Sequence, residues 1–201
     1  MANKGGDVIE NKSERLIIVI SGPSGAGKDS VVRGLLEKDR QLSFVVTTNS
    51  RPKRVSEIEG KDYFFVSRHK FVAMIENGEF VEYATVYGDY KGVTKTSINN
   101  ALESNNDIVI RVDVQGAEQL KKLYKNVLLI YIKPTAEEQL LGQLKGRKTD
   151  SIQTINNRVG VASEEESKID LFDYVVVNET NNLSGTIDQI IQIIINNRSN
   201  S

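Results

Sequence analysis

The sequence predicts an α/β fold: a parallel β-sheet flanked by helices, interrupted by an inserted, mostly antiparallel lobe and by a second, helical insertion. Three observations carry this. Short apolar runs recur at Leu16–Ile20, Ile108–Val112, Val127–Ile132 and Tyr174–Val177, separated by amphipathic stretches. Their apolarity is continuous rather than alternating, which marks strands buried on both faces and so a parallel sheet covered by helices. The first run enters Ser21-Gly22-Pro23-Ser24-Gly25-Ala26-Gly27-Lys28, a glycine-rich loop ahead of a helical pattern at Val31, Val32, Leu35 and Leu36.

That loop reads as a phosphate cradle. In the spacing Gly22-x4-Gly27-Lys28, glycines let the backbone wrap a polyphosphate, its N–H groups and the following helix N-terminus face the anion, and Lys28 reaches the outer phosphates. Binding of a nucleoside triphosphate follows. The Ser or Thr that ordinarily follows the lysine and offers a hydroxyl to Mg²⁺ is replaced by Asp29, with Ser30 beside it. A carboxylate serves a hard cation through its waters, so Asp29 and Ser30 are the candidates on the metal side.

Between Phe44 and Ile98 the texture changes to Thr, Tyr, Phe and Val with charges interleaved, punctuated by Gly60, Gly78, Gly88 and Gly92. This is the inserted lobe, expected over residues 47–100. Within it Arg51 and Arg54 sit three apart, a spacing of guanidinium forks that suits a second phosphate group. The second insertion begins after Pro134 and is expected as a lid over 138–164. It is polar, carries Lys145, Gly146, Arg147, Lys148 and Arg158, and leads to the acidic run Glu164–Glu166, read as a solvated helix face. The last helix, near Leu183 to Ile195, places Ile187, Ile190, Ile191 and Ile194 at helical spacing. The core is then 15–46, 101–137 and 165–198, behind a disordered tail at 1–14.

Bulk properties exclude several functions. Lys plus Arg number 26 against 27 Asp plus Glu in 201 residues, a net charge of -1, so no global field draws nucleic acid or anionic membrane. The absence of cysteine removes thiol catalysis and thiolate metal sites. No apolar run approaches the ~20 residues that span a bilayer, so a soluble chain without membrane or nucleic-acid partners is expected. His69, the single histidine, lies in Ser67-Arg68-His69-Lys70 and reads as a surface residue.

Further motifs follow in order: Gly60-Lys61-Asp62-Tyr63-Phe64-Phe65, Glu79-Phe80-Val81-Glu82-Tyr83-Ala84, Tyr87-Gly88-Asp89-Tyr90-Lys91-Gly92, Val112-Asp113-Val114-Gln115-Gly116, Gly146-Arg147-Lys148-Thr149-Asp150 and Val175-Val176-Val177-Asn178. Together they resemble the guanylate kinases over nearly the whole chain. Asp29, Tyr90-Lys91-Gly92 and Arg147-Lys148-Thr149 look most like the plant organellar branch. The resemblance implies a P-loop NTPase core, an inserted GMP-binding lobe and a helical lid. It implies Mg²⁺-dependent transfer of the ATP γ-phosphoryl group to GMP or dGMP by a monomer, in the cytoplasm or in a plastid or mitochondrion. ATP is then expected on Gly22, Ser24, Gly25, Ala26, Gly27, Lys28, Asp29 and Ser30, with Asn178 near the adenine. Arg51, Arg54 and Tyr63 are expected around the GMP phosphate, Thr47, Glu82 and Asp113 at the guanine, and Tyr90 and Lys91 elsewhere in the GMP site. Lys28, Arg54, Arg147 and Arg158 supply the catalytic cations.

Physical chemistry agrees with this assignment. Guanine presents N1–H and its 2-amino group as adjacent donors, which an ionised Glu82 accepts as a pair, whereas adenine offers a lone pair at N1 and no 2-amino group. A site of that kind discriminates by roughly 10⁴-fold or more. Phosphoryl transfer asks the protein for alignment and cations rather than covalent chemistry, and GMP is already an anionic nucleophile. Three positions depart from the family pattern: Lys91 in place of a second phosphate-contacting tyrosine, Val93 in place of a hydroxyl, and Gln143 in place of a lid arginine. The competing reading is a guanylate-kinase-like module that binds phosphopeptides without catalysis, and the intact loop Gly22–Lys28 argues against it.

Overall fold

The computed structural model describes residues 15–135, 165–179 and 181–199. In chain order its elements are β1 (Ile17–Ser21), α1 (Lys28–Lys38), β2 (Leu42–Val45), β3 (Thr48–Asn49), β4 (Phe64–Phe65), α2 (Arg68–Glu76), β5 (Phe80–Val86) and β6 (Asp89–Thr94). There follow α3 (Lys95–Leu102), β7 (Asp107–Arg111), α4 (Val114–Leu123), β8 (Val127–Pro134), a short 3₁₀ turn at Ile169–Leu171, β9 (Tyr174–Asn178) and α5 (Leu183–Arg198).

Five strands make the core sheet in the order β2-β7-β1-β8-β9, all parallel. β1 is central and wholly buried, with Val19 facing Ile110 on one side and Leu129 on the other. Its apolar residues divide by face. Ile18 and Ile20 pack with Val31, Leu35, Ile187, Ile190 and Ile194, so α1 and α5 cover one face. Ile17 and Val19 pack with Ile98, Ala117, Leu120, Tyr131 and Phe172, so α3 and α4 cover the other. The four apolar runs in the sequence are strands of this sheet. The fifth strand, β2, is a short edge with half-buried Ser43 and Phe44, which is why it carries no continuous apolar signature.

A smaller sheet in the order β4-β3-β6-β5 forms the lobe. β6 pairs antiparallel with β3 and β5, while β3 and β4 run parallel. Tyr87 (φ 55°) and Gly88 (φ 85°) close the β5–β6 hairpin in the left-handed conformation that tight two-residue turns require.

Helix starts show where the chain leaves backbone donors for another partner. α2, α3, α4 and α5 are capped by the side chains of Ser67, Thr94, Asp113 and Asn182. Of helices α1 to α5, α1 alone begins without a side-chain cap, at Gly27. Its first N–H groups and dipole therefore face the space at the C-terminal ends of β1 and β7, where open parallel sheets bind ligands.

Candidate active site

The glycine loop is shaped by close approach. A Cβ on Gly22 (φ 134°) would lie 2.3 Å from the Ile132 carbonyl oxygen, and one on Gly27 (φ 83°) 2.4 Å from Asn178 Nδ2. Asn178 donates through Nδ2 to the Ala26 carbonyl at 2.9 Å and accepts through Oδ1 from Thr186 Oγ1 at 3.2 Å. The Ala26 N–H donates to Pro23 O at 3.1 Å. Ala26 and Asn178 are both buried and hold the loop from behind rather than lining the cleft. The structure thus gives Asn178 a bracing place at the back of the loop. Lys28 Nζ donates to Gly22 O and to Pro23 O (2.8 Å), folded onto its own loop.

The loop opens on a cleft of about 920 Å³, walled by Gly22, Ser24, Gly25, Gly27, Lys28, Asp29 and Ser30 on one side. Thr47, Arg51, Arg54, Tyr63, Glu82 and Lys91 line it from the lobe, and Asp113 from the sheet end. Arg51 forms a fork-to-fork ion pair with Glu57, whose Oε2 also accepts from the Arg54 N–H at 2.8 Å, and the Arg54 guanidinium lies 3.6 Å from Glu57 Oε1. These two arginines hold the Glu57 carboxyl below its ordinary range. The Tyr63 ring lies near both Arg51 and Arg111, their guanidinium carbons 5.2 and 4.5 Å from its centre. Tyr90 is placed otherwise than the resemblance implies. Its ring stacks on Phe71 at 5.3 Å beneath Arg68, on the opposite side of β6 from Lys91 and outside the cleft.

Glu82 is 3% exposed, on the buried face of β5 that it shares with Phe80, Ala84 and Val86. A Cβ at Gly116 would lie 2.7 Å from its Oε2, so the glycine at the start of α4 makes room for the carboxyl. Burial and the Asp113 charge push Glu82 up to about 8, opposed by the Val93 N–H that donates to it and by Lys91. Burial thus favours its protonated form, whereas pairing with two guanine donors calls for the ionised one. Asp113 caps α4, accepting from the N–H groups of Gln115 (2.8 Å) and Gly116 (3.1 Å).

Arg111 and Glu165 in the cleft, and Glu57 behind its arginines, escaped the sequence reading. Arg111 ends β7 and forms an ion pair with Asp29 at 3.0 Å. Its only signal is an arginine inside the otherwise apolar run Ile108–Val112. Glu57 was foreshadowed by the three-residue steps Arg51, Arg54, Glu57. Glu165, placed by sequence on a solvated face, turns into the cleft, where its Oε2 is buried with no hydrogen-bond partner among the described residues. Burial raises Glu165 and lowers Lys28, and each opposes the other's shift. Arg147, Arg158 and Gln143 lie outside the described residues, as do the tail 1–14 and the lid 138–164. His69 is exposed on α2, as expected.

A family model described as guanylate kinase matches residues 14–197. The chain is 45% identical over 180 residues to "Guanylate kinase 2, chloroplastic/mitochondrial" of Oryza sativa subsp. japonica, covering 89% of itself and 63% of the rice protein. It is 38% identical over 184 residues to a guanylate kinase of Caldanaerobacter subterraneus subsp. tengcongensis, covering 92% of itself and 88% of that protein. A crystal structure of guanylate kinase from Anaplasma phagocytophilum shares its fold with a TM-score of 0.75 at 29% identity, over 92% of this chain and 86% of that one. A match of this extent, over the segments that build the loop, the lobe and the cleft, shows that the chain belongs to the guanylate kinase family.

Proposed function

We infer that this chain transfers the γ-phosphoryl group of ATP to GMP, with dGMP as an alternative acceptor, giving ADP and GDP or dGDP. The observation that carries this reading is a single cleft joining an uncapped helix N-terminus and phosphate loop to a buried carboxyl, Glu82, on the lobe. The loop's N–H groups and Lys28 bind the donor phosphates. To do so Lys28 exchanges the Gly22 and Pro23 carbonyls for phosphate oxygens. Arg51, Arg54 and Tyr63, with Lys91, surround the acceptor phosphate, while Glu82, Thr47 and Asp113 read guanine. Arg147 and Arg158 add positive charge from the lid.

Among the described residues no group of three His, Cys, Asp or Glu side chains is placed to hold a metal ion. The residues present fit a Mg²⁺ ion carried by the nucleotide's own phosphates and approached through water by Ser30 or Asp29. When bound, such an ion would neutralise phosphate charge during the transfer. Everything else in the site aligns, orients and desolvates two anions.

No described helix is long and apolar enough to cross a membrane. The compartment in the rice relative's name supports a plastid or mitochondrial setting beside a cytoplasmic one, and we propose a monomer. The function is tested by ADP release with GMP, dGMP, AMP, CMP and UMP as acceptors. Turnover with GMP and dGMP alone is expected, and comparable rates with AMP would overturn the guanine assignment.

A further inference from the structure

Arg111 stands where the two halves of the cleft meet. It reaches the site from the C-terminal end of β7, a strand of the rigid core sheet, rather than from the loop or the lobe. Its Nη1 lies 3.0 Å from Asp29 Oδ1, in the first turn of α1, and its Nη2 donates to the Asp62 carbonyl at 2.8 Å in the lobe. The guanidinium lies 4.5 Å from the Tyr63 ring centre and 5.3 Å from that of Phe44. The residue is 7% exposed, yet it borders the cleft with Lys28, Arg51 and Tyr63.

A guanidinium carries five N–H donors, and two contacts engage only part of them. Among the described residues its Nε is buried with no hydrogen-bond partner. An orphaned buried donor is costly, and a planar fork held between aromatic rings is preorganised for an oxyanion. Asp29 offsets the charge only in part, because its own side chain is 54% exposed to solvent. Tyr63 and Asp62 place the fork on the lobe side, beside Arg51.

We propose that Arg111 is a further phosphate-binding residue, contacting the phosphate of the acceptor nucleotide from the core sheet, with Asp29 holding the guanidinium in place. The inference rests on the GMP reading of the same cleft. It gives the departure at Asp29 a purpose within this chain: the acidic residue after the loop lysine aims a cation at the junction of the two sites. Arg51 and Arg54 approach on the lobe, whereas Arg111 is fixed to the core and marks where the acceptor phosphate must arrive.

The test compares GMP with guanosine, which keeps the base and lacks the phosphate. Calorimetric titration of Arg111→Met should show GMP weakened about 30-fold, the loss of a charge-assisted contact, with guanosine and ATP changed less than about 3-fold. Equal losses for GMP and guanosine would overturn the inference in favour of packing, and a loss confined to ATP would assign Arg111 to the donor side. If Arg111→Met does not fold, Arg111→Lys takes its place. It keeps the charge without the fork and should cost about 5-fold for GMP only, with unchanged GMP affinity counting against the proposal. Wild-type protein that binds AMP as tightly as GMP would bring down the functional reading itself. Normal GMP preference with no effect of the Arg111 variants would overturn this inference alone.

Discussion

At the residue scale, the most consequential group is the Glu82 carboxyl. Its folded value of about 8 lies above its ordinary 4.5, raised by burial and by Asp113, so without nucleotide the protonated form is favoured near neutral pH. Guanine's paired donors require the ionised form, so binding GMP must expel that proton. Affinity for GMP should then rise about tenfold per pH unit between roughly 6 and 8 and level off above, with close to one proton released near pH 7. Calorimetry in buffers of different ionisation enthalpy measures the release, and a pH-independent affinity would mean that another group reads the base. The same shift acts on folding with the opposite sign. Between 4.5 and 8 the folded chain binds more protons than the unfolded one, so this group's contribution to stability is complete below 4.5 and lost as pH rises through 8. Glu82→Gln removes the proton linkage and should lower kcat/KM for GMP by about 10²-fold, since an amide offers one acceptor and one donor to two guanine donors. Lys28→Ala should cut kcat by about 10²-fold or more, because the cation acts on charge developing on the transferred group; full activity would make the loop merely structural.

At the scale of elements, the sequence revealed whatever a local pattern encodes. Strands β1, β7 and β8 are continuous apolar runs because both of their faces are covered. β9 carries the same kind of run at the sheet edge, where Val176 is buried but Tyr174, Val175 and Val177 stay exposed, contrary to the two-sided burial its sequence predicts. The loop announces itself because only glycine tolerates the approach of Ile132 O at Gly22 and the left-handed turn at Gly27. Glu82 was legible from its motif, and the alternation along β5 explains its burial. What stayed hidden depends on contacts between distant segments. The Asn178 side chain turns to Ala26, 152 residues away, and Arg111 meets Asp29 and Asp62 only once the sheet has formed. The segment from Arg51 to Glu57 is intermediate, local in sequence but decided by geometry. Glu57 there binds Arg51 through both carboxylate oxygens and also holds the Arg54 backbone. A carboxylate so placed fixes the forks before substrate arrives, reducing the ordering cost of binding. Glu57→Gln should therefore raise KM for GMP about 5- to 10-fold with a smaller change in kcat. A fall in KM would show instead that Glu57 competes with the phosphate.

At the scale of the whole molecule, the lobe has an apolar centre of its own. Phe71 stacks on Phe80 at 4.3 Å and on Tyr90 at 5.3 Å, and neither phenylalanine belongs to the two clusters that flank the core sheet. The chain passes between lobe and core at few places, one of them Thr94, which both ends β6 and caps α3. Val93 and Val81 anchor the base of the lobe in the core cluster, so motion of the lobe would be a hinge about that base. The contacts across the cleft are largely polar, including Arg111 to Asp62 and to the Tyr63 ring, and the cationic groups on the two sides, Lys28 with Arg51, Arg54 and Lys91, repel one another until anions lie between them. Two nucleotides supply those anions, so ATP-site and GMP-site ligands together should draw the lobe inward more than either alone. Small-angle scattering should show a smaller radius of gyration with GMP plus a non-hydrolysable ATP analogue than with neither. Identical radii with and without both ligands would mean that the cleft is already at its working width and that the lobe is fixed to the core.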